Sequence, residues 1–246
     1  MIIALLIGRK GSVGFPGKNL YPVMGRPLAL YPMMAVKAAR LVDKVYLSTN
    51  CEDLMKLAKE NGIEIIERPK ELCTNEATGL DVFIHGYGVI KERNKGSSIE
   101  LVVLMFCNAV TILTKTIEEG IGILREHPEY DSAVTVSRYN MYSPLRARSI
   151  GEDGLLHPFV PFEVIGDPKK LNCNRDSQGD VWFTDVAASI VRPRCLERPE
   201  EGILPQRWMG QKIYPLKQWG GLDVDYGWQI PQVEYWLKSN LNTNKY

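Results

Sequence analysis

The sequence predicts an α/β fold built on a doubly wound, mostly parallel sheet. Ile2–Ile7 is a continuous aliphatic run, which is typical of a strand buried on both faces of a parallel sheet. Strand-like and helix-like segments then alternate through about the first 140 residues, as they do in successive βαβ units. A glycine-rich loop follows the first run directly, at the edge of such a sheet where ligands bind.

Each predicted element has its own signal. Short aliphatic and β-branched runs predict the strands, and Glu100–Phe106 (ELVVLMF) is the strongest of them. Apolar residues at helical spacing predict the helices between them, and right-handed crossovers would join the strands. In chain order we predict strands at 2–7, 45–48, 64–66, 100–106 and 132–136, and helices at 28–40, 52–61, 81–92 and 115–126.

The pattern changes after Ser137. Residues 139–180 are rich in turn signals and contain the basic pairs Arg146/Arg148 and Lys169/Lys170, which predicts an inserted arm of irregular or antiparallel strands. Strands at 181–191 and 212–215 and an amphipathic helix at 226–241 complete the chain. We therefore expect a single domain over residues 1–246, with the arm inserted at 139–180.

The composition excludes several classes of protein. Of the 246 residues 45% are hydrophobic, and 30 Lys+Arg nearly balance 29 Asp+Glu, which argues against a disordered chain and a dedicated nucleic-acid binder. No apolar stretch reaches the roughly 20 residues of a membrane span. The five cysteines are scattered and form no CxxC pair, which argues against a disulfide framework and favours a cytoplasmic setting.

The loop after the first strand has glycine at every third residue from 8 to 17. Such a backbone can wrap its N–H groups around phosphate oxygens, and Arg9, Lys10 and Lys18 add positive charge. The spacing fits neither the P-loop GxxxxGK[ST] nor the dinucleotide motif GxGxxG, and no acidic residue ends the second strand as a dehydrogenase would require. The alternative is a surface loop that needs glycine and proline only to turn.

Asp223 and Asp225 are two residues apart in a short extended segment before the last helix. Side chains at i and i+2 of an extended segment project to one face, and two carboxylates there favour a nearby cation. Mg²⁺ is typically held by one or two carboxylates together with substrate phosphates and waters. The alternative is a solvated acidic turn in which Asp225 caps the helix.

The glycine-rich loop also resembles the signature of a known family. Gly8–Asn19 is similar to Ala-Arg-x-x-Ser-Lys-Gly-x-Pro-x-Lys-Asn of the CMP-sugar synthetases, the acylneuraminate cytidylyltransferases. Four further segments are similar to motifs of that family and occur in the same order: Pro27-Leu28, Val45–Asn50 (the family's VSTD), Arg68–Leu72 (its RPxEL) and Leu222–Asp225 (its IDID). Several ordered motifs are far more specific than any one of them.

The resemblance implies a Rossmann-like, Mg²⁺-dependent transferase in which a keto-sugar acid attacks the α-phosphate of CTP. It implies a homodimer in which the arm of one subunit packs over the active site of the other. The implied catalytic residues are Arg9 and Lys18, the nucleotide-binding residues Gly11, Ser12, Gly14, Asn19 and Arg68, the metal ligands Asp223 and Asp225, and the acceptor-binding residue Arg175. The alternatives are an ordinary exposed position for Arg68 and a surface ion pair with Asp176 for Arg175.

Two segments depart from the family pattern. Val13 stands where a loop lysine normally follows the serine, and Leu104–Val110 replaces the family's LQPTSPLR. The first change removes a cation near the triphosphate, and the second removes a glutamine that helps to hold the sugar acid in relatives. Two alternatives therefore stay open: a different acid acceptor, such as an ulosonic acid or a phosphonate, and a nucleotide-binding homologue without turnover.

Overall fold

The computed structural model describes residues 1–241, apart from the side chains of Asp176, Ser177 and Leu241. The strands are β1 (Ile2–Ile7), β2 (Pro22–Val23), β3 (Arg26–Pro27), β4 (Lys44–Thr49), β5 (Glu64–Glu67), β6 (Leu101–Phe106), β7 (Ser132–Arg138), β8 (Arg148–Ile150), β9 (Leu156–Pro158), β10 (Trp182–Val191) and β11 (Ile213–Gln218). The α-helices are α1 (Leu30–Lys37), α2 (Glu52–Glu60), α3 (Gly79–Arg93), α4 (Thr114–Glu126), α5 (Arg194–Glu197) and α6 (Ile230–Leu241). Within the described residues, no helix is long and apolar enough to cross a membrane.

Seven strands form one central sheet in the order β11-β7-β10-β6-β1-β4-β5. β1 pairs in parallel with both β4 and β6, and β11 pairs in parallel with β7, whereas β10 is antiparallel to both of its neighbours. The chain moves from β1 to one side of the sheet and then returns to place β6 on the other side. This confirms the predicted doubly wound, mostly parallel sheet, with its switch point between β1 and β6.

Helices cover both faces of the sheet, which explains why its central strands are continuously apolar. All six residues of β1 and five of the six in β6 are buried. One face packs against α1, α2 and α4, and the other packs against α3 and α5. The core therefore holds the carboxyl ends of β1 and β6 in fixed positions.

Most predicted elements are present, and the differences lie at their ends. The first helix is shorter than predicted, since it spans only Leu30–Lys37. The prediction that the last helix begins at residue 226 is wrong, because α6 begins at Ile230 after a separate 3₁₀ turn at Gly227–Gln229. The side chain of Gln229 binds the backbone N–H groups of Asp225 and Tyr226 and so keeps these residues out of the helix.

The predicted arm lies between β7 and β10. It contains the antiparallel pair β8–β9 and several 3₁₀ turns, which confirms the expected antiparallel and irregular character. Several of its large apolar side chains are exposed, namely Met141, Tyr142, Ile150, Leu155, Leu156, Phe159, Val164 and Ile165. The division into one domain with an inserted arm, and the place of that arm in a dimer, stay predictions.

Candidate active site

A cleft of about 360 Å³ opens at the carboxyl ends of β1, β5 and β6, beside the switch point of the sheet. Four segments form its walls: the loop after β1, residues 68–79, residues 106–108 and residues 223–226. Of the ten residues proposed from sequence, eight line this cleft: Arg9, Ser12, Gly14, Lys18, Asn19, Arg68, Asp223 and Asp225. The fold therefore brings together residues that are up to about 200 positions apart in the chain.

The glycines of the first loop serve different purposes. A Cβ atom at Gly14 would lie 2.7 Å from the carbonyl oxygen of Asp225, so only glycine lets the loop approach the aspartate segment this closely. Gly11 has a φ of 84°, which other residues rarely adopt, and it lines a smaller neighbouring cavity instead of the main cleft. Glycine at position 14 is thus explained by its close approach to the aspartate segment. A simple surface turn would not require such an approach.

Lys18 and Asp225 join the loop to the aspartate segment. The Nζ atom of Lys18 lies 2.5 Å from Oδ1 of Asp225, and the lysine side chain is only 11% exposed, against 55% for the aspartate. Partial burial strengthens such a pair relative to one in bulk water. Asp225 therefore forms an ion pair with Lys18, the predicted catalytic lysine.

Asp223 lacks full compensation for its charge. Burial raises the pKa of its carboxyl group and the charge of Asp225 raises it further, while Lys18 and a hydrogen bond from Asn108 only partly offset this. A further cation beside the two carboxylates would relieve the repulsion. The described residues contain no group of three or more Asp, Glu, His or Cys side chains that could hold a metal ion, and Asp223 and Asp225 are the acidic side chains among those that line the cleft. Two carboxylates fit Mg²⁺ that is bound jointly with phosphates.

The capping alternative for Asp225 is wrong. The residue before the 3₁₀ turn is Tyr226, and the backbone N–H groups of Asp225 and Tyr226 both donate to Oε1 of Gln229. The carboxylate of Asp225 is instead directed to Lys18.

Arg68 is buried in the cleft wall, so the alternative of an ordinary exposed arginine is wrong. It is 6% exposed, and its Nη2 donates to the carbonyl oxygens of Ser48 at 2.9 Å and Gly8 at 3.3 Å. Its Nε atom has no hydrogen-bond partner, and no carboxylate among the described side chains forms an ion pair with Arg68. Burial lowers the pKa of the guanidinium. A buried cation without a carboxylate is suited to an anionic or strongly polar ligand.

Arg9 and Asn19 hold the cleft walls together. The guanidinium of Arg9 donates to the carbonyl oxygens of Thr74 at 3.0 Å and Cys73 at 3.4 Å, and to Oδ1 of Asn75 at 2.9 Å. Asn19 is buried, and its Nδ2 donates to the carbonyl oxygen of Arg9 at 3.3 Å. Arg9 thus links the two loops on either side of the cleft, and its catalytic role stays a prediction.

The amino end of α3 also faces the cleft, although the sequence motifs above do not include it. Thr78 and Gly79 line the cleft, and Thr78 forms a capping box with Asp81. The first N–H groups of a helix and its dipole favour negative charge. The spacing of Thr78 and Asp81 matches the capping-box pattern and could have identified this end from sequence.

Asn108 is a further residue of the cleft that the sequence motifs do not include. It is 8% exposed, lines the cleft and follows the carboxyl end of β6. Its Nδ2 donates to the carbonyl oxygen of Val224 at 3.0 Å, so it holds the aspartate segment against the sheet. Its place directly after a strand at the switch point was the available signal.

The two departures from the family pattern make part of the cleft apolar. Val13 is 76% exposed at the cleft, and Phe106 lines it from the end of β6. The ring of Phe106 packs edge-to-face on Phe83, with 5.3 Å between the ring centroids. Val13 and Phe106 therefore add apolar surface to the cleft, while Asn108 of the replaced segment keeps one amide there.

Arg175 lies in the arm and does not line the cleft. It begins the 3₁₀ turn Arg175–Gln178 and is exposed. The proposed pairing with Asp176 concerns a side chain outside the described part of the chain. The role of Arg175 in acceptor binding stays a prediction.

Comparison with known families finds a match at the amino-terminal part of the chain. A family described as cytidylyltransferase matches residues 3–105. The N-acylneuraminate cytidylyltransferase of Escherichia coli O18:K1:H7 is 24% identical over 144 residues, covering 58% of this chain and 33% of the relative. A Helicobacter pylori protein described as pseudaminic acid cytidylyltransferase and UDP-2,4-diacetamido-2,4,6-trideoxy-beta-L-altropyranose hydrolase is 23% identical over 158 residues, covering 64% and 29%. The chain thus spans a third or less of the length of these relatives.

Solved structures match nearly the whole chain. A CMP:2-keto-3-deoxy-manno-octonic acid synthetase complexed with CTP has a TM-score of 0.68 at 13% identity and covers 97% of this chain and 98% of its own. The 4-diphosphocytidyl-2C-methyl-D-erythritol synthase of Anaerococcus prevotii has a TM-score of 0.62 at 13% identity and covers 96% of each chain. At this identity the likeness establishes the fold.

Proposed function

Since the chain is a divergent member of the CMP-sugar synthetase family, we propose that it transfers the cytidylyl group of CTP to a small acidic sugar and releases pyrophosphate. The observation that carries this proposal is the convergence of the glycine-rich loop, buried Arg68 and the aspartate pair on one cleft. The family match and the CTP-bound structural neighbour support the same reaction.

The cleft residues divide between the nucleotide and its triphosphate. Arg68, Asn19, Ser12 and Gly14 would contact the nucleotide, with the amino end of α3 beside it. The N–H groups of the loop and Lys18 would hold the triphosphate and stabilise charge on the departing pyrophosphate. Val13 supplies no charge there, so Lys18 carries more of this task than it would in a loop with a second lysine.

The transfer forms one bond and breaks another. The acceptor hydroxyl oxygen bonds to the α-phosphorus of CTP, the bond between that phosphorus and the oxygen bridging to the β-phosphate breaks, and the hydroxyl proton is released. Asp223 and Asp225 would hold Mg²⁺, which when bound neutralises phosphate charge and lowers the pKa of the hydroxyl. The remaining task of the chain is to position the reactants and exclude water.

The acceptor is proposed to be a keto-sugar acid of the nonulosonic type. Arg175 would pair with its carboxylate, because a guanidinium matches a carboxylate in bidentate geometry. Since Arg175 lies in the arm, we propose that two subunits form a homodimer in which each arm closes over the cleft of the other. Val13 and the replacement at 104–110 stand where the family pattern has a lysine and a glutamine, and this departure supports, as the second candidate, a different acid acceptor such as an ulosonic acid or a phosphonate.

The enzyme is further proposed to be cytoplasmic. All five cysteines are free thiols, and three of them are buried. A reducing compartment keeps such residues in this form.

The test is pyrophosphate release with Mg²⁺ across CTP, UTP, ATP and GTP and a panel of nonulosonic and ulosonic acids and phosphonates. Among the four nucleotides we expect only CTP to give pyrophosphate release, and only together with one class of acceptor. Absence of release with every acceptor would overturn the proposal, and calorimetric CTP binding in that case would identify a binding homologue. A rate unchanged in Asp225→Asn would remove the metal assignment.

A further inference from the structure

The segment that carries both aspartates belongs to no sheet. Residues 221–225 are outside every strand, although Gly221 and Val224 are buried. Buried backbone groups require hydrogen-bond partners, which a neighbouring strand would normally provide. The backbone of this segment must therefore be held in another way.

Polar groups from other elements take the place of a neighbouring strand. The N–H of Gly221 donates to Oγ of Ser137, and the N–H of Leu222 donates to Oγ1 of Thr111, both at 2.9 Å. The N–H of Val224 donates to the carbonyl oxygen of Asn108 at 2.9 Å, and Nδ2 of Asn108 returns a bond to the Val224 carbonyl oxygen at 3.0 Å. These bonds fix the sheet-facing side of the segment.

Gln229 fixes the other side. Its Oε1 accepts the N–H groups of Asp225 at 2.7 Å and Tyr226 at 2.8 Å, and its Nε2 donates to the carbonyl oxygen of Asp223 at 3.3 Å. One amide thus binds the main chain of both aspartates. Gln229 does not line the cleft, so its effect on a ligand there would pass through the two aspartates.

We propose that Gln229 is a positioning residue of the metal site, which holds the main chain of Asp223 and Asp225 so that both side chains stay at the cleft. The inference rests on the proposed function for the identity of the metal site. Without this amide the Asp225 end of the segment would lose its anchor, and the two aspartates would no longer be held in place at the cleft. Partners that orient metal ligands typically change metal affinity by about 10–100-fold.

The direct test is Mn²⁺ binding, followed by electron paramagnetic resonance, in the full chain without nucleotide. Gln229→Ala should weaken Mn²⁺ binding about 10–100-fold. Gln232→Ala is the matched control, because Gln232 is an exposed glutamine of α6 and should leave the binding constant unchanged. Gln229→Glu keeps an acceptor for both N–H groups and should recover most of the loss.

Kinetics separate positioning from general stabilisation. In the pyrophosphate assay, Gln229→Ala should raise the apparent Mg²⁺ constant about tenfold or more while kcat at saturating Mg²⁺ falls less. A merely structural role would lower the melting temperature and leave the Mn²⁺ constant unchanged, and that result would overturn the inference. If Gln229→Ala does not fold, the test uses Gln229→Glu. A Mn²⁺ affinity within twofold of the wild type supports the acceptor role of Gln229. A loss of Mn²⁺ affinity as large as that in Asp223→Asn contradicts it.

The failure of this inference differs from failure of the proposed function. A wild-type protein that releases no pyrophosphate overturns the function, whereas the Mn²⁺ titration requires no turnover and still measures the effect of Gln229. If the wild type is active and Gln229→Ala, Gln229→Glu and Gln232→Ala all bind Mn²⁺ as tightly as the wild type does, the role of Gln229 is overturned and the proposed function is not.

Discussion

Asp131 and Asp223 lie at opposite ends of the same pair of parallel strands. Asp131 precedes β7 and Asp223 follows β11. The carboxylate of Asp131 accepts hydrogen bonds from Nε of Arg194 at 2.7 Å and from the N–H groups of Gln211 and Lys212 at 2.9 Å. Burial opposes its ionisation, but these hydrogen bonds outweigh burial and lower its pKa. The pKa of Asp223 is raised, first by burial and then by Asp225.

This difference separates a carboxylate that serves the fold from one that we propose binds a ligand. The charge of Asp131 is compensated within the fold, where its hydrogen bonds join β7, α5 and the start of β11. The charge of Asp223 is only partly compensated by the chain, as a proposed ligand of an external cation would require. The arginines show the same contrast, since Arg194 pairs with Asp131, whereas among the described residues Arg68 donates hydrogen bonds only to carbonyl oxygens. Charged side chains that the fold leaves partly uncompensated therefore lie at the cleft.

The largest expected effect is that of Asp223→Asn. The rate of pyrophosphate release should fall about 100–1000-fold, because loss of a metal ligand removes several kcal/mol of transition-state stabilisation. The melting temperature should stay equal or rise, because the change removes the repulsion between two carboxylates. Rate assays and melting curves on the same variant test both expectations. A fall in both the rate and the melting temperature would mean that Asp223, like Asp131, stabilises the fold.

Asp131→Asn should give the reverse result. The free energy of unfolding should fall by about 2–3 kcal/mol, because three hydrogen bonds to a charged acceptor are weakened, and the melting temperature should fall by about 5–10 °C. The rate per folded molecule should stay within about twofold of wild type.

The pH dependence of this effect has a definite sign. Because the folded pKa of Asp131 is lowered, its stabilisation is present above the unfolded pKa of about 3.9 and is lost as the pH falls through the folded value. Urea unfolding at neutral and acid pH should show that the free energies of unfolding of the wild type and Asp131→Asn become more similar at the lower pH. A difference that persists undiminished there would contradict the charge-based explanation.

Arg68→Met tests the same contrast with a cation. CTP binding should weaken about 10–100-fold, as expected for loss of charged hydrogen bonds. Stability should be equal or higher, because a buried guanidinium without a carboxylate carries a desolvation cost. Arg125→Met, which breaks a surface pair with Glu100, is the control and should leave the calorimetric CTP affinity unchanged.

The smallest effects are expected from two glycines. Gly14→Ala should lower the rate about tenfold, because the new Cβ would push the loop away from Asp225 by contact with its carbonyl oxygen. Gly122→Ala, within α4 and with no atom within 4 Å of the new Cβ, should stabilise the fold by about 0.5–1 kcal/mol without a change in rate. Equal rates in the two variants would contradict the close-approach explanation.

The sequence by itself determined the features that depend on neighbouring residues. The aliphatic run at β1, the alternation of strand and helix, the glycine spacing and the paired aspartates are all local patterns, because each depends on backbone geometry over a few residues. From them the sheet and the cleft at its edge were predicted, and the resemblance to the CMP-sugar synthetases supplied the rest of the eight predicted residues that line the cleft.

Only the tertiary structure decided which polar groups are compensated. Lys18 meets Asp225 across 207 positions, and Asn108 meets Val224 across 116, and no local pattern specifies such pairs. The burial of Arg68, the attachment of Arg9 to residues 73–75 and the hold of Gln229 on the aspartate segment arise in the same way. Burial and partner choice depend on the packing of distant segments, and they decide whether a charge serves the fold or the ligand.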